Sequence, residues 1–297
     1  MRLVENRDLI KKKLINTINR DNLESDNVNA NENINDIFDW SNLNIMVVDD
    51  NEVNLRLAEI ILHKHKAKVT TARSGMQAID QAALNSFDII FMDLHMPGID
   101  GHQTTQRIRE ISSGKQPVIV ALTANAMPNE KDKVIRSGMN GILIKPVSDA
   151  ILQKVINQWV LKRPISPLEN ISNSSKKELN DDAIFSIEAA KEFTGNNETL
   201  AYELFNMLRA ELTKYSQDIS AAIQNNDLEE LRNQAHRLHG SSRCCGTREL
   251  KEASSHIENL INQKIDFDIK KESTLLLTAI KNVADYKMDS KNGSGSD

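Results

Sequence analysis

The chain has 297 residues, 39% hydrophobic and 4% aromatic, and carries 42 acidic against 37 basic side chains for a net charge of −5. That length accommodates two domains of ordinary size, and the acidic balance gives no electrostatic support to nucleic-acid binding. No apolar run approaches the roughly 20 residues a membrane span requires, and Met1 to Glu5 lead into charged residues rather than a signal-peptide core. We therefore expect a cytoplasmic chain with no membrane span. The two cysteines, Cys244 and Cys245, are adjacent. Neighbouring cysteines rarely reach unstrained disulfide geometry, which fits reduced thiols, and a zinc site would need more ligands than this pair supplies.

Residues 1–41 read as an appendage. Leu3, Ile10, Leu14 and Ile18 keep helical spacing, with Lys11, Lys12 and Lys13 on a solvated face, and residues 22–36 are rich in Asn, Asp and Glu and are expected to be disordered. No glycine precedes Gly75, so no glycine-rich phosphate loop lies upstream. The stretch leaves no room for an ATP-binding domain, and we expect no autophosphorylation from ATP by this chain, whether it is a stand-alone relay or the detached tail of a larger sensor.

Residues 42–162 alternate short apolar runs (45–48, 68–71, 88–92, 118–122, 141–144) with amphipathic segments of helical length (53–63, 75–84, 101–111, 128–137, 149–160). Five strands alternating with five helices predict an α/β domain with a parallel, doubly wound sheet. The runs Ile45–Val48 and Ile89–Met92 are apolar at consecutive positions, as strands covered on both faces should be. Residues 163–181 carry two prolines and many polar residues, a linker signal. From 182 to 288 strand alternation is absent and long amphipathic runs predict an antiparallel four-helix bundle. Residues 289–297 read as a disordered tail.

Every strand of the first domain except the second ends in a polar group: Asp49 and Asp50 after the first, Asp93 after the third, Thr123 after the fourth, Lys145 after the fifth. In a parallel sheet these ends lie on one edge, where open α/β sheets place their ligands. Three converging carboxylates repel and raise one another's pKa, and a hard divalent cation such as Mg²⁺ removes that penalty. Lys145 and Thr123 would then hold the oxygens of a transferring phosphoryl group, with Asp93 as nucleophile forming an acyl phosphate. The plainer alternative is that strand-end acids merely cap helices.

The runs Val47-Val48-Asp49-Asp50-Asn51, Met92-Asp93-Leu94-His95-Met96-Pro97, Leu122-Thr123-Ala124 and Ile144-Lys145-Pro146 resemble a response-regulator receiver domain of flavodoxin-like fold. Asn54 and Thr123–Met127 are similar to the receivers of hybrid sensor kinases. The resemblance implies Asp93 as phosphoacceptor. It implies Mg²⁺ held by Asp50, Asp93 and the backbone carbonyl of His95, with Asp49 acting through water, and a cis Lys145-Pro146 bond. One position departs from the pattern. Ile142 stands where output-driving receivers often carry an aromatic switch residue, which points to a receiver that passes phosphate on.

In the second domain Leu228, Leu231, Ala235, Leu238, Ser242 and Cys245 fall on one helical stripe facing a core. His236 lies about 140° from the middle of that stripe, so we expect it to face solvent. Arg232, His239, Gly240 and Arg243 share its side. Glycine inside a helix costs about 1 kcal/mol relative to alanine, and open space for a docking partner would justify Gly240. Arg232, His239 and Arg243 would supply positive charge or donors to an anion on the imidazole. Ala235–Ser242, with Gly246 and Leu250, resembles a histidine-phosphotransfer (HPt) domain, and His-x-Leu-His-Gly followed by Cys-Cys-Gly is similar to the terminal domain of BarA/GacS-type hybrid kinases. Lysine commonly stands where this chain has His239, which leaves open whether His239 stabilises a phosphoryl group or accepts one. His63, His65, His102 and His256 read as bystanders.

The combined expectation is a phosphorelay protein. Asp93 would take a phosphoryl group from a donor histidine kinase and exchange it with His236, toward a separate response regulator. A flexible linker of about 20 residues reaches near 25 Å, and the receiver surface around Leu55, Ala58 and Leu62 is the expected dock for the bundle. Two other readings stand beside it. One is an Asp-nucleophile phosphohydrolase, for which His95 occupies the place of the usual second acid. The other is a phospho-independent scaffold.

Overall fold

The structure, a computed structural model, describes residues 39–112, 114–124, 128–160, 184–265 and 267–287. The expected appendage helix, the polar stretch after it, the linker, the tail and residues 125–127 lie outside the described residues.

Five strands form one parallel sheet in the order β2-β1-β3-β4-β5: β1 Asn44–Val48, β2 Lys68–Ala72, β3 Ile89–Asp93, β4 Val118–Thr123 and β5 Gly141–Ile144. This is the flavodoxin-like order. β1, β3 and β4 are buried almost throughout, as consecutive apolar residues require of strands sandwiched between helix layers. The helices are α1 Glu52–Lys64, α2 Gly75–Leu84, α3 Gly101–Ile111, α4 Pro128–Arg136 and α5 Asp149–Val160. Met46, Val48, Ile90, Met92, Ile108, Ile119 and Val134 make one continuous core.

Register brings the polar strand ends together. Val48 pairs with Met92, so Asp49 and Asp93 come next along adjacent strands. Thr123 pairs with Ile144, which places Lys145 one residue beyond. Asp50 is not spent as a helix cap: Asn51 caps α1, its side chain accepting from the Val53 and Asn54 amides, one of the orphan-donor solutions that helix starts require. A side chain at Gly101 would collide with the Asp93 carbonyl, so only glycine lets α3 begin against the end of β3. The Lys145–Pro146 bond is cis.

The remaining described residues are helical: a short α6 (Ile187–Lys191), then α7 Glu198–Gln224, α8 Leu228–Cys244, α9 Arg248–Asn262 and α10 Ile269–Asp285. Asn197, Asp227 and Asp268 cap α7, α8 and α10. Leu204, Leu208, Leu212, Leu231, Leu238, Leu250, Ile257, Leu276 and Val283 are fully buried between them, each large apolar side chain contributing about 1.5–3 kcal/mol. The stripe on α8 behaves as its spacing predicts except at its start. Leu228 is the first residue of the helix and is 41% exposed. α1 of the sheet domain packs against α7 and α8.

Candidate functional site

Asp93 is the last residue of β3 and fully buried, with the Lys145 ammonium 2.7 Å from its Oδ2. The same ammonium lies 2.8 Å from Asp49 Oδ2. Carboxylate oxygens of Asp49, Asp50 and Asp93 all lie within 4.8 Å of one another. Burial, then the Asp93 and Asp49 charges, push the Asp50 carboxyl up to about 7. Burial also raises Asp49, against the pull of Lys145, and the two carboxylates raise the lysine in turn. One ammonium thus pairs with two buried acids and lies near a third. Asp50 Oδ2 receives no hydrogen bond. An incompletely satisfied, oxygen-only pocket of this kind suits a hard divalent cation. Thr123 donates to Glu130 Oε2 at 3.1 Å, and Glu130 Oε1 is 3.5 Å from His95 Nε2.

Over this pocket lies α8. His236 is 6% exposed, so the solvent-facing expectation fails. The face opposite the bundle core is covered by the receiver-like domain, with the His95 and His236 ring centroids 4.7 Å apart. Ligating atoms of Asp93, His95 and His236 lie within 4.8 Å of one another. From behind, Glu258 of α9 accepts from both histidines: its Oε1 is 2.9 Å from His236 Nδ1 and its Oε2 is 3.0 Å from His239 Nδ1. Burial opposes charge on His236, but the Glu258 hydrogen bond and the Asp93 charge outweigh it and raise its pKa. Glu258 is held well below the usual carboxylate range by the two imidazoles, against its own burial. Burial first, then the neighbouring His236 and Lys145, push His95 down to about 3.

Several polar contacts join the halves. Arg237 of α8 reaches Asp50, its Nη2 donating to the backbone oxygen at 3.2 Å and its Nε 3.2 Å from Oδ2 in a poorly aligned ion pair. Asn51 Nδ2 donates to the Arg237 carbonyl at 3.2 Å and to the Tyr215 hydroxyl at 3.4 Å. Arg56 pairs with Glu203 at 2.8 Å. Arg243 donates to the Lys145 carbonyl at 2.7 Å, and Gly240 faces Asn54. Of the residues expected to support His236, only His239 shares its carboxylate. Arg232 bonds Asn233, and Arg243 is engaged with the sheet domain.

Sequence reasoning missed Glu258, Glu130, Tyr215 and the role of Arg237. Glu258 left a signal: it sits four residues after buried Ser254 and beside Ile257, an acid on the core-facing stripe of α9. The other histidines are structural. His65 is buried, bonded to Asp149 at 2.8 Å and packed on Trp40; His102 bonds Ser137 and His256 bonds Glu272.

Residues 45–157 match the response regulator receiver domain family and residues 203–285 match the Hpt domain family. The chain carries a receiver domain followed by an Hpt domain. It is 34% identical over 223 residues to the sensor protein GacS of Pseudomonas syringae pv. syringae, covering 74% of this chain and 24% of that protein. It is 28% identical over 243 residues to the histidine-protein kinase BarA of Escherichia coli K12, covering 82% of this chain and 26% of that one. The chain thus spans about a quarter of the length of these relatives, whose names describe whole sensor kinases. Among solved structures, the magnesium-bound receiver of the sensor histidine kinase PA1611 from Pseudomonas aeruginosa PAO1 aligns with 40% of this chain and 97% of its own at 36% identity, with a TM-score of 0.38. Among the described residues, no helix is long and apolar enough to cross a membrane.

Proposed function

We propose that the chain is a phosphorelay unit in which Asp93 accepts a phosphoryl group from a donor histidine kinase and exchanges it with His236, which serves a separate response regulator. The observation that carries this reading is the approach of the His236 imidazole to within 4.8 Å of the Asp93 carboxylate. In the forward step a His236 Nε2 lone pair attacks phosphorus, the P–N bond forms as the acyl P–O bond breaks, and the Asp93 carboxylate leaves. Nδ1 keeps its proton on Glu258, whose charge offsets the positive charge the ring acquires. Lys145 would neutralise charge on the phosphoryl oxygens and Thr123 would hydrogen-bond one of them, and transfer depends mainly on such positioning and neutralisation. His239, Arg232, Arg243 and Gly240 shape the surroundings of the imidazole.

Mg²⁺ fits the acidic pocket. Asp50, Asp93 and the His95 backbone carbonyl would hold it, with Asp49 acting through water, and it would supply charge neutralisation at the phosphoryl oxygens. Tethering raises the effective concentration of one half for the other toward the millimolar range. The test is incubation with a donor kinase, radiolabelled ATP and Mg²⁺. Asp93→Asn is expected to abolish labelling of both halves. His236→Gln should leave the receiver labelled and the bundle unlabelled, and His239→Gln should keep both. Label on the bundle in His236→Gln would overturn the assignment.

A further inference from the structure

We propose that Asp93, His95 and His236 form a second, distinct cation site, for Zn²⁺ or a similar borderline metal, that spans the contact between the two domains. Three ligating atoms, one from each residue, lie within 4.8 Å of one another. A tetrahedral ion with bonds of about 2.1 Å brings its ligands to about 3.4 Å apart, so small rotations of the two imidazole rings complete the site. The donor set decides the metal. Two imidazole nitrogens and one carboxylate suit zinc, whereas Mg²⁺ prefers oxygen alone. The two sites therefore share Asp93 and meet at His95, whose backbone carbonyl would serve Mg²⁺ and whose ring would serve zinc, and differ in their remaining ligands.

The surroundings of the two rings fit this use. His95 Nδ1 is buried and has no hydrogen-bond partner, an uncompensated group that a metal would satisfy. Each ring is backed by a carboxylate on one nitrogen, which leaves the other for a ligand. Glu258 is 2.9 Å from His236 Nδ1, and Glu130 is 3.5 Å from His95 Nε2. Carboxylates behind metal-ligating histidines fix the tautomer and raise ligand basicity. A plain packing of two imidazoles would not require a carboxylate beside each and an unpartnered nitrogen on one of them. Neither domain holds the site alone, because His236 belongs to α8, Asp93 to the end of β3 and His95 to the loop after it.

A metal here occupies the atoms that would exchange the phosphoryl group and ties the domains together. The consequence, a relay held shut by zinc, rests on the phosphotransfer reading; the site itself does not. The test is calorimetric titration of ZnCl₂ into the full chain in excess Mg²⁺, with Co²⁺ absorption as a report of tetrahedral nitrogen coordination. One equivalent should bind. His95→Ala and His236→Gln should each weaken it more than about tenfold and remove the Co²⁺ bands, and Glu258→Gln should weaken it about tenfold or more. His256→Ala, on an exposed pair with Glu272, should change nothing. No binding, or binding that His95→Ala leaves intact, overturns the site. Absence of label transfer in the zinc-free chain with Mg²⁺ present would instead overturn the relay reading and leave the zinc result standing.

Discussion

The two halves of the site handle charge in opposite ways. On the receiver, Asp49 and Asp93 share the single ammonium of Lys145, Asp50 meets only the poorly aligned guanidinium of Arg237, and burial and its two neighbours drive Asp50 up to about 7. On the bundle, Glu258 divides its two oxygens between His236 and His239, and the pairing lowers the acid and raises His236. The first pocket is short of positive charge as folded. The second is satisfied as folded. The receiver half therefore gains stability by binding a cation, whereas the bundle half has gained it already, and the same kind of substitution should have opposite signs in the two places.

The largest effect is expected at Asp50. Its side chain is only 7% exposed. A carboxyl raised from 3.8 to about 7 binds its proton more tightly in the folded state, so stability falls as pH rises from about 4 to about 7 and the full penalty applies above. That penalty is on the order of 4 kcal/mol at its upper bound, with part returned through Arg237. Asp50→Asn should raise the melting temperature in EDTA at pH 7.5 and abolish the increase that Mg²⁺ gives the parent chain. A lower melting temperature in EDTA would mean that the pocket is not short of positive charge.

At Glu258 the sign reverses. Glu258→Ala leaves two imidazoles without their partner and should cost about 3 kcal/mol by denaturant unfolding, as hydrogen bonds to charged groups do. The glutamate pKa is depressed, so its contribution is complete above 4.5 and is lost as pH falls through the depressed value. The His236 pKa is raised, so its contribution is complete below 6.5 and is lost as pH rises through the raised value. The gap between parent and variant should therefore be widest between 4.5 and 6.5 and narrow on both sides. Over that same interval the Asp50 penalty is growing, so a gap that falls steadily from 4.5 upward would contradict the contrast.

The receiver half was legible in the sequence because a parallel sheet sends every strand end to one edge. Once Ile45–Val48 and Ile89–Met92 read as strands, Asp49, Asp50, Asp93 and Lys145 had to converge. The bundle half was legible only in part. Helix periodicity places His236 away from the core of its own domain, and it is away from that core. Periodicity says nothing about what another domain lays over the same face, so the burial of His236 under His95 was out of reach. Glu258 was legible as an acid on the core-facing stripe of α9, but its partners were out of reach for a related reason. It meets α8 across a helix pair, and no local spacing links residues 22 apart. The dock itself was half legible: the helix bearing Leu55, Ala58 and Leu62, all buried, does pack against α7 and α8, but the polar contacts beside them, Asn51 to Tyr215 and Arg56 to Glu203, were not foreseen.

The smallest effect, and the one that separates folding from docking, is at Gly240. Alanine there should favour α8 by up to about 1 kcal/mol, since glycine in a helix interior is costly. Yet its Cβ would stand 3.2 Å from Asn54 Nδ2, and Asn54 also holds the Asp49 carboxylate at 3.2 Å and 3.3 Å. The amide is the end of a flexible side chain and can move a few tenths of an ångström, at the expense of its grip on Asp49. Gly240→Ala is thus expected to leave unfolding stability unchanged or slightly raised while weakening the contact between the domains, read as a reduced interdomain paramagnetic relaxation effect. Gly240→Leu extends the same argument: the bundle should still fold, because position 240 points at the receiver rather than into the bundle core, but the dock should open and Asp93-to-His236 transfer should slow. Transfer at the parent rate in Gly240→Leu would show that phosphoryl exchange uses some arrangement of the two domains other than this one.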